Sequence, residues 1–276
     1  MGFRISTNVQ SLSAQRSLGI QREAQNHSLE KLSSGERIVR AADDAAGLAI
    51  SEKFKAEIRS TRQATRNTQD GISLVQVAEG GLNEVGNMLI RMRELSIQAA
   101  SDTIGDLERG FTDKETQSIK EEIQRISQTT KYNGVELLSG SGKDLEFQVG
   151  IGAHPEHDRL RYKAGDYDST VATLGVTDVS TATKESAQTN LSFIDRAISK
   201  VSENRASFGA MQNRLQSTMS NLQVSEENIA AANSRIRDAD IAAETAELTK
   251  RNILSQAGTS TLSQANQNSM LALKLI

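Results

Sequence analysis

The three histidines are the first residues to consider for acid–base or metal chemistry, because the chain contains no cysteine. His154 and His157 flank Pro155 and Glu156 in the segment HPEH. A zinc protease needs the pattern H-E-x-x-H on a helix, and a proline here opposes a helix. The spacing therefore predicts a surface turn. His27 lies far from both in sequence, so few residues are available for acid–base or metal chemistry.

Three other short motifs could suggest chemistry, and each has a simpler explanation. The segment GSGKD at 140–144 is too short for a phosphate-binding Walker loop, so it predicts a hairpin turn. The triplets at Asn26 and Asn190 match N-glycosylation sites but lie within helical patterns. Asp43 and Asp44 could indicate a metal site, but we expect them to cap the next helix, whose first N–H groups need acceptors. We therefore expect no enzyme, no metal and no cofactor.

Composition narrows the class of protein. The 35 acidic and 32 basic residues leave a net charge of −3, which gives no electrostatic attraction to nucleic acid. Aromatic residues make up 3% of the chain, so a core must come from aliphatic side chains, as in helix-on-helix packing. No run approaches the roughly 18 apolar residues of a membrane span. The first residues lack the apolar segment of a cleaved signal peptide, so export would need another route.

Two long runs show helical periodicity. In the first, apolar residues recur every three or four positions: Ile72, Val75, Ala78, Leu82, Val85, Leu89, Met92, Leu95 and Ala99. The second has a mean step of about 3.5, the repeat of a left-handed coiled coil, through Leu191, Ile194, Ile198, Val201, Arg205, Phe208, Met211, Leu215, Met219, Leu222, Glu226, Ile229, Asn233 and Ile236. At about 1.5 Å per residue that helix would be roughly 70 Å long. The pattern predicts a helical rod.

The segment between the two runs changes character. A shorter helix is predicted over 114–130, with a loop before it and one apolar face formed by Ile119, Ile123 and Ile126. Asn133 and Gly134 tolerate the left-handed conformation that ends a helix. Between 135 and 180, apolar and polar residues alternate, which predicts a small patch of β-hairpins; the apolar positions include Leu145, Phe147, Val149 and Ile151.

The two ends of the chain are amphipathic but weakly apolar. Residues 3–32 and 253–276 mix leucine, isoleucine and valine with many polar residues. Helices of this kind are marginal in water without a partner surface. We therefore expect the two ends to pair with each other and other chains to complete their burial.

Four long motifs closely resemble bacterial flagellin: LSSGERIVRAADDAAGLAISEK (32–53), RMRELSIQAAS (91–101), KYNGVELLSG (131–140) and SRIRDADIAAETAELTKRNILSQAGTSTLSQANQ (234–267). Together with the periodicity, the resemblance implies a mainly α fold. We expect a long antiparallel coiled-coil-like rod with a small β-hairpin patch, and N- and C-terminal helices paired in an inner layer. The implied divisions are an inner-tube helix and spoke (1–43), rod helices (44–134), hairpins (135–181), a rod helix (182–236) and an inner-tube helix (237–276).

The resemblance also implies a function. Flagellins are structural subunits that assemble into the flagellar filament, the helical propeller of swimming bacteria. They are secreted unfolded by a dedicated machine and end up extracellular. The implied partners are other copies of the chain, the flagellar cap and hook-associated proteins, the export apparatus with an export chaperone, and the animal Toll-like receptor for flagellin.

The family pattern implies three groups of contact residues. A spoke between the layers would contact neighbouring subunits through Arg37, Arg40, Asp43 and Asp44. Axial contacts, and the surface that the innate receptor recognises, match Arg91, Arg93, Glu94, Leu95, Gln98 and Glu122. Packing of the inner tube would involve Ile5, Val9, Leu12, Leu262, Leu271 and Leu273.

Three alternatives are open at this point. A hook–filament junction protein shares similar termini, although the segment DADIAAETAELTKRNILSQAGTS favours the filament subunit. A flagellin that carries a metallopeptidase would need H-E-x-x-H and a longer insert, and this sequence has neither. A helical adaptor would remain a small oligomer at any concentration, whereas a filament subunit polymerises above a threshold.

Overall fold

Five helices dominate the computed structural model, which describes the backbone of residues 7–274 and the side chains of residues 7–267. They are α1 (Val9–Ser34), α2 (Ala45–Ala99), α3 (Asp106–Thr129), α4 (Lys184–Arg237) and α5 (Ile241–Lys274). Four short strands form two antiparallel hairpins: β1 (Lys131–Tyr132) with β2 (Val135–Glu136), and β3 (Leu145–Gln148) with β4 (Arg159–Tyr162). The mainly α class with a small hairpin patch is confirmed. Within residues 7–274, no helix is long and apolar enough to cross a membrane.

The chain forms two compact units. The first contains the residues up to 58 and those from 227 onward, and the second contains residues 59–226. In the first unit, α1 and α5 pack side by side in opposite directions. Gln25 Nε2 donates to Asn252 Oδ1 (2.6 Å), and Leu18, which is 8% exposed, packs against Gly258. The expected pairing of the chain ends is therefore confirmed.

Local sequence sets both ends of α1. Asn8 caps its start, since the Asn8 side chain accepts the N–H of Ser11 (3.0 Å). Gly35 ends the helix in the left-handed conformation (φ 71°), and its N–H donates to the carbonyl of Lys31. Glycine adopts this conformation without steric cost.

In the second unit, α2 and α4 run antiparallel. Arg62 Nε lies 2.6 Å from Glu226 Oε1, and Arg93 Nε lies 2.6 Å from Asp195 Oδ1. The two contacts are separated by the same number of residues on both helices, so the pair keeps one register between them. This is the antiparallel, coiled-coil-like packing that the periodicity predicts.

The core of this unit is aliphatic, as the composition requires. Along α2, every residue of the first apolar run except Ile72 is at most 1% exposed. Ile123 of α3 is fully buried, and β4 adds Tyr162. The ring of Tyr162 stacks 5.1 Å from Tyr167, which in turn lies 4.4 Å from Phe208 of α4.

The buried seam of α4 differs from the predicted one by a single residue at three of the fourteen predicted positions. As predicted, the seam contains Ile194, Val201, Phe208 and Leu215, spaced by seven residues. Within residues 190–215, the other buried positions are Asn190, Ala197 and Asn204, each one residue before the predicted Leu191, Ile198 and Arg205. Burying an arginine without a partner costs far more than burying an asparagine, so the seam takes Asn204 and leaves Arg205 exposed.

The helix α3 begins at Asp106, well before the predicted residue 114. Asp106 and Glu108 place negative charge in its first turn, where the helix dipole favours it. Arg109 is 8% exposed and donates to the carbonyls of Ala99 (3.0 Å) and Ser101 (3.0 Å). Much of the predicted loop is therefore helical, because a buried arginine ties the start of α3 to the end of α2.

Two turns differ from their predicted roles. Asn133 (φ 48°) and Gly134 (φ 80°) form the two-residue turn between β1 and β2, while α3 has already ended at Thr129. Residues 140–144 connect β2 to β3, which belong to different hairpins, so they are not a hairpin turn.

The hairpin of β3 and β4 agrees with the alternating pattern up to Val149, which is 4% exposed. Ile151 is 52% exposed, contrary to the pattern, because it lies beyond the end of β3. The segment HPEH at 154–157 lies in the exposed turn between the two strands, as predicted.

Candidate assembly surfaces

The first candidate surface is the connector between α1 and α2, residues 35–44, which we call the first connector. Asp44 caps α2 as predicted, because its Oδ1 accepts the N–H of Gly47 (2.8 Å). Ile38 anchors the connector and is 2% exposed. A Cβ on Gly47 would come closest to Asp44 Oδ2 and would lie 2.8 Å from Ile38 Cδ1, so a side chain there would displace both the cap and this anchor.

Asp43 does not cap α2, contrary to the sequence analysis. Its Oδ2 accepts the N–H groups of Arg40 (3.0 Å) and Val39 (3.1 Å), and its Oδ1 lies 3.0 Å from His27 Nε2. The N–H of Arg40 is the largest cause of a lowered pKa at Asp43. The carboxylate therefore folds the first connector onto itself, because the turn places it beside these N–H groups.

The two arginines of the first connector contact their own chain. Arg37 Nη2 donates to the carbonyl of Ile236 (2.7 Å), and Arg40 Nη2 donates to Glu30 Oε1 (2.5 Å). Both arginines remain exposed. A role in contacts between subunits stays a prediction.

A residue that the sequence analysis did not single out, Arg237, lies at the centre of this region. Its guanidinium contacts the carboxylates of Glu36 in the first connector and Glu52 in α2. The hydrogen bond that Arg237 donates to Glu36 is the largest cause of a raised pKa at Arg237. The motif SRIRDAD contained this arginine, but only the fold reveals its partners, which are 201 and 185 residues away.

The second candidate surface lies on α2 and α3. Arg91 Nη2 lies 2.8 Å from Glu115 Oε1, and Arg91 Nη1 lies 3.1 Å from Glu94 Oε2. The hydrogen bond that Arg91 donates to Glu115 is the largest cause of a raised pKa at Arg91. Arg93 points to the other side, where it pairs with Asp195 of α4. This surface is an exposed network of ion pairs.

The remaining residues of the predicted axial group differ in position. Gln98 is exposed, beside the network. Glu122 accepts Arg125 Nε one turn along α3 (2.7 Å), which lowers the pKa of Glu122. Leu95 is 1% exposed, so its side chain supports the surface from below and is not available to a partner. Its place in the apolar run of α2 explains this correction.

The third candidate surface is the apolar exposure on the paired helices α1 and α5. Leu262 is partly buried. Ile5 lies outside the described residues, and the side chains of Leu271 and Leu273 lie outside the described part of α5. Large apolar side chains are exposed on both helices: Val9 (62%), Leu12 (53%), Ile20 (60%), Leu29 (46%), Ile253 (61%) and Leu254 (43%).

Among the side chains described, no group of three or more histidine, aspartate and glutamate residues could hold a metal ion. The first two surfaces carry ion pairs, and the third carries exposed apolar side chains.

Comparison with known proteins shows which family the chain belongs to. Residues 5–143 match the family model of the bacterial flagellin N-terminal helical region, and residues 191–276 match that of the C-terminal helical region. The chain belongs to the bacterial flagellin family. A flagellin of Halalkalibacterium halodurans is 44% identical over 274 residues, which cover 99% of each chain. A 33 kDa flagellar filament core protein of Treponema phagedenis is 40% identical and also covers 99% of each chain.

Two solved structures have a similar fold. A crystal structure of Bacillus cereus flagellin is 33% identical, with a TM-score of 0.51, and the match covers 61% of this chain and 94% of that one. A putative flagellar hook-associated protein of Vibrio parahaemolyticus is 15% identical, with a TM-score of 0.58, and covers 71% and 100%. At that identity the second likeness concerns the fold alone. A flagellin and a putative hook-associated protein thus have a fold similar to this chain's, whereas the relatives at 44% and 40% identity are a flagellin and a flagellar filament core protein.

Proposed function

We propose that this member of the flagellin family is a structural subunit that assembles into the bacterial flagellar filament, the helical propeller for swimming. The observation that carries the proposal is the apolar exposure on α1 and α5. Ile20 and Ile253 are 60% and 61% exposed on helices that pair chiefly through small and polar residues. Burying such side chains against neighbouring copies stabilises an assembly by about 25 cal/mol per Å² of apolar surface.

The role is mechanical, as befits a family of structural proteins. The layers of the proposed filament follow the divisions of the sequence. Residues 1–43 and 237–276 would line the inner tube and its spoke, residues 44–134 and 182–236 would form the surrounding rod layer, and residues 135–181 would face outward. In this arrangement the exposed apolar side chains of α1 and α5 lie where neighbouring subunits exclude water.

The finer partners follow from the same proposal. The protein would be secreted through the flagellar export apparatus with its chaperone and would function outside the cell. It would contact the hook-associated and cap proteins at the two ends of the filament. The connector arginines Arg37 and Arg40 would contact neighbouring subunits with the exposed parts of their side chains.

The network around Arg91 supports an axial contact surface, which an innate receptor could also recognise. Arg91 is held by Glu94 and Glu115, so its orientation is fixed before any partner arrives. In a receptor-reporter cell assay the monomer should give a signal that falls for Arg91→Ala. No signal at high monomer concentration would remove the receptor role and leave the assembly role intact.

Seeded polymerisation tests the main proposal. Purified monomer, mixed with short filament fragments, would be followed by sedimentation and negative-stain microscopy, beside a chain that lacks residues 1–32 and 254–276. Long tubes from the full chain and none from the truncated one are expected. Small oligomers from both at every concentration would overturn the filament role and favour a junction protein.

A point variant separates the connector from the terminal helices. Arg40→Glu would place a negative charge beside Glu30 and should impair elongation far more than it changes monomer helicity. Ile151→Ser is the matched control for a surface change, since Ile151 is 52% exposed in the patch proposed to face outward. Normal elongation of the Arg40 variant would mean that the connector charges are merely solvated.

A further inference from the structure

The first connector is joined by its backbone to the segment between α4 and α5, residues 238–240, which we call the second connector. The N–H of Arg37 donates to the carbonyl of Arg237 (2.6 Å). The N–H of Ala239 donates to the carbonyl of Gly35 (2.9 Å). These hydrogen bonds form an isolated antiparallel bridge, so the two connectors lie side by side.

The side chain of Arg237 adds a second tie at the same place. Its Nη2 donates a hydrogen bond to Glu36 Oε2 (3.0 Å), and its Nε lies 2.9 Å from Glu36 Oε1, within ion-pair distance. Its Nη1 lies 2.5 Å from Glu52 Oε1 and 3.4 Å from Ser51 Oγ. The planar guanidinium thus contacts both carboxylates at once through different nitrogens.

These contacts link three segments through one side chain: the end of α4, the first connector and the second turn of α2. Arg237 is 15% exposed at its side chain, compared with 35% for Glu36 and 53% for Glu52. Without the guanidinium, Glu36 and Glu52 would lose the positive charge that both contact, although Lys55 Nζ lies 3.8 Å from Glu52. The side-chain tie between the connectors would then be lost.

We propose that Arg237 clamps the two connectors together and so positions the paired helices α1 and α5 for assembly. The inference rests on the proposed filament function, which it deepens. Arg237 acts through Glu36 and Glu52, so it is a positioning residue whose loss weakens assembly without direct loss of a contact between subunits.

The test compares Arg237→Gln with Arg62→Gln in seeded elongation. Arg62 is a matched control, because it also joins α2 to a residue of α4, but its side chain is 58% exposed and contacts one carboxylate, Glu226. We expect Arg237→Gln to raise the critical concentration about tenfold, which corresponds to about 1.4 kcal/mol. Arg62→Gln should change it less than about twofold.

Two further measurements distinguish a clamp from general destabilisation. All three tyrosines lie in the second unit, so thermal unfolding followed by their near-ultraviolet circular dichroism should be unchanged in Arg237→Gln. Trypsin should cleave the monomer after Arg40 several times faster, because the first connector opens. Arg237→Lys keeps the charge but loses the fork, so its critical concentration and its rate of trypsin cleavage should lie between those of the unaltered chain and Arg237→Gln.

The outcomes separate the clamp from the function on which it rests. Normal elongation of Arg237→Gln, or equal loss in Arg62→Gln, overturns the clamp. If the unaltered chain does not extend seeds at all, the filament function fails. The trypsin measurement then decides the clamp alone, and unchanged cleavage after Arg40 refutes it.

Discussion

Two nearby residues of α1 allow an effect on assembly to be distinguished from an effect on folding. Leu18 is 8% exposed against Gly258, whereas Ile20 is 60% exposed. We expect Ile20→Ala to leave the monomer intact, since the side chain packs little and alanine is the better helix former. Leu18→Ala should instead loosen the pair of α1 and α5 within the monomer.

The magnitude for Ile20→Ala follows from its exposure. The change removes three carbons, each worth about 0.8 kcal/mol when fully buried. Neighbouring subunits can bury at most the exposed three-fifths of the residue, which leaves about 1.4 kcal/mol per subunit. The critical concentration for elongation should therefore rise about tenfold. For Leu18→Ala, the loss in the monomer should be about 2 kcal/mol, the lower end for a leucine because the site is open on one side.

The assay is elongation from seeds at several monomer concentrations, with far-ultraviolet circular dichroism melting of each monomer. Elongation of the Ile20 variant at the unaltered critical concentration would show that this face meets water in the filament, and would refute the argument. Equal loss of monomer helicity in both variants would also refute it, because Ile20 would then support the helix pair itself.

Three further changes test the connector and the seam. Gly47→Ala should destabilise the monomer by about 1 kcal/mol in thermal melting, because displacing the capping Asp44 side chain and Ile38 costs more than the helix gains. A higher melting temperature would contradict these close contacts. The pKa of Asp43 is lowered, mainly by the N–H of Arg40, so its carboxylate adds stability above about pH 4 that disappears as the pH falls through the lowered value. The difference in melting temperature between the unaltered chain and Asp43→Asn should therefore be present at pH 7 and vanish in acid. Asn204→Leu should raise the free energy of unfolding in urea by about 1–2 kcal/mol, since Nδ2 is buried without a partner among the described residues; a lower midpoint would show that it has one.

The periodicity predicted the helices well because buried positions recur every three or four residues along a packed helix. The first apolar run is buried almost without exception, and Ile194, Val201, Phe208 and Leu215 lie in the seam of α4. In the second apolar run, the spacing alone could not determine which of two adjacent residues, such as Asn204 and Arg205, is buried. Either step of three or four residues fits a helix, and only the partner surface determines which side chain enters the seam.

The connector was less predictable for a different reason. Its charged residues were recognised, but local sequence could not assign Asp43 to the turn and Asp44 to the cap. Arg237 was missed because its partners are distant in sequence. The start of α3 was likewise hidden, because the buried contact of Arg109 with Ala99 depends on how two helices meet.

The pairing of the two chain ends has a consequence for the order of folding. Asn8 donates to the carbonyl of Ala265, 257 residues away, so this contact closes a loop of nearly the whole chain. If α2 and α4 meet first, as Arg62 and Glu226 do, the chain still to be closed shrinks to roughly a third of that length, which saves about 1 kcal/mol of closure entropy. For helices as marginal as α1 and α5, that saving is comparable to their own stability. We therefore expect α1 and α5 to pair last during folding. Their apolar side chains then stay exposed until the subunit binds to a growing filament.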